Sequence, residues 1–149
     1  RYNRLEPAIE KAFNLPFMMR VTAGSRWKKA SQKEKKDLVA AFKRMSVATY
    51  ASRFDGYSGQ TFRTEKVRVG PKRTQLVDTV LKSPKGKSVK LTYVMRKFKG
   101  DWKVIDLLLD KGISEMAVRV SEYRGILRSR GARALARALE QKAAKLLKN

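Results

Sequence analysis

Two carboxylates and a phenol are the side chains of this 149-residue sequence best placed to move protons: Asp78, Asp106 and Tyr93, each on a segment that reads as a β-strand. An Asp base beside a Tyr hydroxyl and a protonated Asp is one way to run an isomerisation. The rest of the usual catalytic equipment is missing. The chain has no histidine and no cysteine. This excludes the common general base near neutral pH, thiolate nucleophiles, thiolate metal sites and disulfides. No Gly-rich phosphate loop occurs either. The sequence therefore assigns no metal site, cofactor or catalytic set. Asp106, on a mostly apolar strand, reads as a structural carboxylate that needs backbone or Arg hydrogen bonds if buried.

Charge points elsewhere. Lys and Arg total 36 against 13 Asp and Glu, a net +23. Such an excess calls for a polyanionic partner, either nucleic acid or an anionic membrane surface. On charge alone nucleic acid ranks first. Yet the sequence lacks an RNP aromatic motif, a GXXG loop, zinc-ligand spacing and a helix-turn-helix. Its aromatic residues fall in core-like positions and not on a stacking platform. The basic residues are spread through all elements, as on a solvated surface. With 42% hydrophobic residues the chain is too apolar to be disordered, and one domain over residues 1–149 is expected. No apolar run approaches the ~20 residues of a membrane span. The chain starts at Arg1 and not at Met, so a signal peptide and the first mature residues are expected to precede it.

The elements that must position these residues follow from period and punctuation. Arg4 to Phe13 reads as a short helix ended by Asn14-Leu15-Pro16, and Phe17 to Ala23 as another, stopped at Gly24. Ser31-Gln32-Lys33-Glu34 is a capping box opening a long helix to about Ser52, with Leu38, Phe42, Met45 and Thr49 on one stripe. Four strands come next: Thr61 to Val69, Arg73 to Lys82, Ser88 to Phe98 and Trp102 to Leu109. Turn signals lie at Tyr57-Ser58-Gly59, Gly70-Pro71, Ser83 to Gly86 and Lys99-Gly100-Asp101. The third strand alternates, with Val89, Leu91, Tyr93 and Met95 on one face and Lys90, Thr92 and Arg96 on the other. Ser114 is the N-cap of a helix bearing Met116, Val120, Tyr123 and Leu127. Gly131 separates it from a last helix with Leu135, Leu139, Ala143 and Leu146 inward. The fold class is α+β: a curved four-stranded antiparallel sheet packed against helices.

Two stretches carry a family resemblance. One is Gly24-Ser25-Arg26-Trp27, the long helix with Phe42 and Tyr50, then Phe54 and Tyr57-Ser58-Gly59. The other is Trp102-Lys103-Val104-Ile105-Asp106, then Gly112-Ile113-Ser114, an aromatic helix, and Gly131 with Leu135, Leu139 and Lys142. In kind and order this resembles the MlaC family of periplasmic lipid-binding proteins: Gly and Trp before a long helix, then W-x-V-x-D, then G-[VI]-S. The resemblance covers nearly the whole chain. Members often carry Tyr-Arg a few residues after the serine; here Arg119-Val120 stand there and Tyr123 takes a later aromatic slot. That run is closer to the HpnM branch, associated with hopanoid-producing bacteria.

The resemblance implies a fold like nuclear transport factor 2, with a deep apolar pocket, and a carrier that does no covalent chemistry. Its cargo is phospholipid or, on the HpnM branch, hopanoid. Its partners are an inner-membrane ABC- or RND-type lipid transporter, an outer-membrane complex and, transiently, the anionic membrane surface. The same fold hosts isomerases, which keeps Asp78, Asp106 and Tyr93 as an enzymatic alternative beside nucleic-acid binding. As cavity lining the resemblance implies Phe17, Met18, Phe42, Met45, Val77, Val89, Leu91, Tyr93, Met95, Val104, Met116, Val120, Tyr123 and Leu127. Arg119, Arg124 and Arg128 are the expected rim or headgroup contacts. Each buried CH₂ of a tail contributes ~0.8 kcal/mol, an empty cavity costs stability, and flexible methionines suit irregular chains.

Overall fold

Among the described residues, three of the five α-helices start at a side chain that accepts an otherwise orphaned backbone N–H. Asn14 Oδ1 accepts from Phe17 N at 3.1 Å and opens α2 (Leu15–Ala23). The predicted capping box forms: Ser31 N donates to Glu34 Oε1 at 2.9 Å, and Glu34 N to Ser31 Oγ at 3.1 Å, opening α3 (Gln32–Arg53). Ala117 N donates to Ser114 Oγ at 3.0 Å at the start of α4 (Glu115–Arg130). The remaining helices are α1 (Tyr2–Ala12) and α5 (Ala132–Lys148), and a 3-10 turn spans Gly24–Trp27. These come from a computed structural model, which describes residues 2–53, 61–82, 84 and 88–148. The expected signals at Phe54 and Tyr57-Ser58-Gly59, and Ser83, Lys85 and Gly86 of the next turn, lie outside the described residues.

The chain forms two compact units, one of Arg1–Asp55 with Val118–Asn149 and one of Gly56–Ala117. The first is helical. In it α5 lies along α3, on which α1 and α2 also pack. Phe42, Met45 and Val47 of α3 and Leu135 and Ala143 of α5 are wholly buried, and Leu139 nearly so. Gly131, at φ 88°, closes α4 by donating to the carbonyls of Ile126 and Leu127, the left-handed glycine cap expected between two helices.

The second unit is an antiparallel meander in strand order β1-β2-β3-β4-β5: β1 (Thr61–Val69), β2 (Thr74–Lys82), β3 (Ser88–Phe98), β4 (Asp101–Leu109) and β5 (Ile113–Ser114). The expected count of four is thus corrected to five among the described residues. Ile113 and Ser114 pair with Leu109 and Leu108, and a two-residue strand is too short to leave a period in sequence. Bulges interrupt two registers, at Glu65 of β1 and Ile105 of β4; each locally bends and twists its strand. β1 is an edge strand, and all nine of its residues are exposed.

Candidate functional site

The proton-transfer set does not assemble. Residues opposite one another in a ladder share a face, and neighbours along a strand do not. Tyr93 pairs with Val77 and Leu107, whereas Asp78 pairs with Thr92 and Asp106 with Val94. The phenol is therefore on one face and both carboxylates on the other. Asp78 is also bound up: Arg68 Nε and Nη2 donate to its two oxygens at 2.7 and 2.9 Å, and Thr92 Oγ1 donates at 2.7 Å. The guanidinium first, then the hydroxyl, hold its pKa down to about 2, far from a base poised near neutrality. Asp106 accepts from Leu107 N at 2.7 Å, from Met116 N at 3.1 Å and from the Ser114 hydroxyl. These are backbone and serine donors, with no Arg among them, and they tie β4 to the start of α4.

The other sheet face is apolar, and the register builds it row by row. Phe62, Leu81 and Val89 form one row, Thr64, Thr79 and Leu91 the next. Val67, Val77, Tyr93 and Leu107 form the third, and Val69, Gln75, Met95 and Val104 the fourth. Six of the expected lining residues, Val77, Val89, Leu91, Tyr93, Met95 and Val104, are thereby brought together. Phe62, Val67 and Leu107 join them and were not expected. The Phe62 and Tyr93 rings lie 6.1 Å apart across β2. Burial grades across this face: Leu107 is 3% and Val104 5% exposed, Val89 40%, Phe62 51% and Val67 55%. Burial raises the Tyr93 pKa above that of a free phenol. Of the lining residues expected from the sheet unit, Met116 is the one off this ladder; it is buried and holds Asp106 through its N–H. On the opposite face a groove of about 640 Å³ is lined by Lys66, Arg68, Asp78, Lys90, Thr92 and Lys111, among others.

The helical unit holds the other expected residues. Phe42 meets Tyr123 edge to face, with centroids 6.4 Å apart. Met18, Met45 and Leu127 are buried, and Phe17 and Val120 partly so. Ser46 Oγ is buried with no hydrogen-bond partner among the described residues. The three arginines expected at a rim part ways. The Arg119 guanidinium lies 5.8 Å from the Phe42 ring centroid, a cation–π contact. Arg124 Nε and Nη2 each donate, at 3.2 Å, to the carbonyls of Thr22 and Val21. Arg124 thus satisfies the C-terminal carbonyls of α2, and sequence could not find this because its partners lie 102 and 103 residues away. Arg128 is exposed. A separate cleft of about 470 Å³ is lined by Phe13, Leu15, Trp27, Lys35, Val39 and Lys43 among others.

A match to the MlaC protein family spans residues 1–141. The chain belongs to the MlaC family. Among solved structures it is similar to a phospholipid-binding protein from Ralstonia solanacearum, determined in complex with a phospholipid. The TM-score is 0.84 at 18% identity, over 99% of this chain and 84% of the other. No curated protein matches it. The motifs of this MlaC-family chain gain a physical reading. Gly24 has φ 68°, and a Cβ there would lie 2.9 Å from the Arg124 guanidinium, so the glycine before the tryptophan makes room for that arginine. The Asp of W-x-V-x-D and the Ser of G-[VI]-S are hydrogen-bonded to each other, as Asp106 and Ser114.

Proposed function

We propose that this MlaC-family protein is a periplasmic lipid carrier. It takes the apolar tails of a phospholipid against the sheet face built by Val77, Leu91, Tyr93, Met95 and Val104, and passes the lipid between inner- and outer-membrane transport complexes. A single observation carries the reading: an in-register apolar face whose burial falls from β4 to β1, leaving aromatic and aliphatic side chains with surface to offer. Each CH₂ of a tail removed from water there contributes ~0.8 kcal/mol. The similarity to a structure solved with phospholipid bound supports phospholipid as the cargo, and a pocket of the nuclear transport factor 2 type over that face belongs to the same reading. Met116 of the sheet unit and, within the helical unit taken by itself, Phe17, Met18, Phe42, Met45, Val120, Tyr123 and Leu127 are proposed as further tail contacts, with Arg119 and Arg128 as candidate headgroup contacts.

Native mass spectrometry of the purified protein, with solvent extraction of what it carries, tests this. A stoichiometric phospholipid is the expected result. A hopanoid in its place would redirect the cargo to the HpnM branch. Protein that gains no mass with added lipid, and instead binds RNA with the steep salt dependence of phosphate contacts, would overturn the carrier reading.

A further inference from the structure

Two tight turns of the sheet unit place cations where the backbone favours glycine or asparagine. In the Pro71–Thr74 turn, closed by Thr74 N donating to Pro71 O at 3.1 Å, Lys72 and Arg73 have φ of 51° and 64°. In the β3–β4 hairpin, closed where Phe98 faces Asp101, the two loop residues are Lys99 and Gly100, at 49° and 90°. Two successive positive φ values are the requirement of the type I′ turn, whose preferred sequence is Asn-Gly. A long side chain carries a conformational cost in this region. Among the described residues the non-glycine positions with positive φ are Lys72, Arg73, Lys99 and Lys111, every one a cation. Connections of an antiparallel meander alternate between its two ends. The β1–β2 and β3–β4 turns therefore share one end, and Lys72, Arg73 and Lys99 stand together there.

The same end displays apolar surface. Val69 is 89% exposed and Trp102 42%. Trp102 faces Lys97 across the hairpin, and the Arg96 guanidinium lies 5.6 Å from the Phe98 ring centroid. Strands β1 to β4 span three inter-strand spacings, about 14 Å, so these groups fit within one small patch. Among the described residues, Lys72, Arg73, Lys97 and Lys99 are exposed and none of them is in an ion pair.

We propose that this end of the sheet docks the protein onto the surface of an anionic phospholipid bilayer. The proposal rests on the lipid-carrier reading, which gives the protein a reason to visit a membrane. Cations complement the anionic headgroups. Trp102 takes the headgroup level, where tryptophan is enriched at membrane interfaces, and Val69 inserts at the same end of the sheet, three strands away. No described helix is long and apolar enough to cross a membrane; the contact proposed is peripheral. A single tryptophan, with an exposed valine three strands away, offers no stacking series for successive bases, which disfavours nucleic acid as the occupant.

The test compares two charge-matched triple variants of the full chain. One restores the favoured turn residues, Lys72→Asn, Arg73→Gly and Lys99→Asn. The other removes three exposed cations from α5, Arg133→Gln, Arg137→Gln and Lys142→Gln. Co-sedimentation with phosphatidylglycerol-containing vesicles should weaken on the order of 100-fold for the turn variant, about fivefold per cation from ~1 kcal/mol each. Its melting temperature should equal or exceed the parent's, which separates lost docking from lost folding. Equal weakening in both variants would show attraction to net charge alone and overturn the assignment, as would RNA binding lost in place of vesicle binding. A Trp27→Phe protein gives a positional readout: Trp102 fluorescence should be quenched by brominated acyl chains, and unquenched Trp102 in bound protein would sink the proposal. Lipid carried by the turn variant, read by mass spectrometry, should stay at the parent level. An empty parent that still docks would defeat the carrier reading and leave the docking surface standing.

Discussion

The two units are held together by different means. In the helical unit Met19, Phe42, Met45, Val47 and Leu135 are wholly inaccessible, and apolar packing of α5 and the short helices on α3 does the work. In the sheet unit the best-defined side-chain links are polar, Arg68–Asp78–Thr92 on one face and Asp106–Ser114 at the end of β4, while the apolar face is only partly buried. A filled core resists change of shape. A face fixed by its ladder and its polar edges can keep apolar surface available without collapsing, which is what a carrier of irregular chains needs.

Substitutions can break that contrast. Phe42→Ala should cost ~3–5 kcal/mol, the usual loss for a buried phenylalanine, read as a shift in the urea midpoint. A loss near 1 kcal/mol would mean that the helical unit is as loosely filled as the sheet. Asp106→Ala should cost about 2–3 kcal/mol, because two backbone N–H groups and a serine hydroxyl lose their acceptor. Phe62→Ser with Val67→Ser should leave the melting temperature nearly unchanged, since both side chains are more than half exposed, yet weaken phospholipid retention about tenfold. A variant that melts early with its lipid still bound would show that these residues pack and do not bind.

The smallest effect is one of pH. The Asp78 pKa is lowered from 3.8 to about 2 by the Arg68 and Thr92 hydrogen bonds. A carboxylate depressed on folding adds stability that is present above its unfolded pKa and lost as pH falls through the folded one. Stability should therefore decline between about pH 4 and pH 2, modestly because the pair is partly exposed. That part of the decline should vanish in Asp78→Asn.

Much of this was legible from residue order. Caps at Ser31 and Ser114, the turn at Lys99-Gly100 and the alternation of β3 all depend on local backbone chemistry, and each stands where the pattern put it. What stayed hidden depends on register. On β1, Phe62 is out of phase with Val67 and Val69 at a period of two, so the strand reads as having no apolar face. The bulge at Glu65 restores the phase and brings all three to one side. The same slip on β4 at Ile105 brings Val104 and Leu107 to one face, although a period of two sets them on opposite faces. β5 is invisible for its length, and the cap that Arg124 supplies is invisible for its distance along the chain.

The exposed edge of β1 has a further consequence. Among the described residues this nine-residue strand has no partner on its outer side, and the backbone groups of alternate residues there form a template on which a second strand can add, the route by which β proteins aggregate. Arg63, Glu65, Lys66 and Arg68 interrupt its apolar residues, and the bulge at Glu65 breaks its straight run. Both are protections against self-pairing, and the first acts through repulsion between chains of +23. Repulsion is screened within about 8 Å at physiological ionic strength. Solubility of this protein is therefore expected to be tied to salt: light scattering of concentrated samples should stay low in dilute buffer and rise with ionic strength as edge-to-edge assembly sets in.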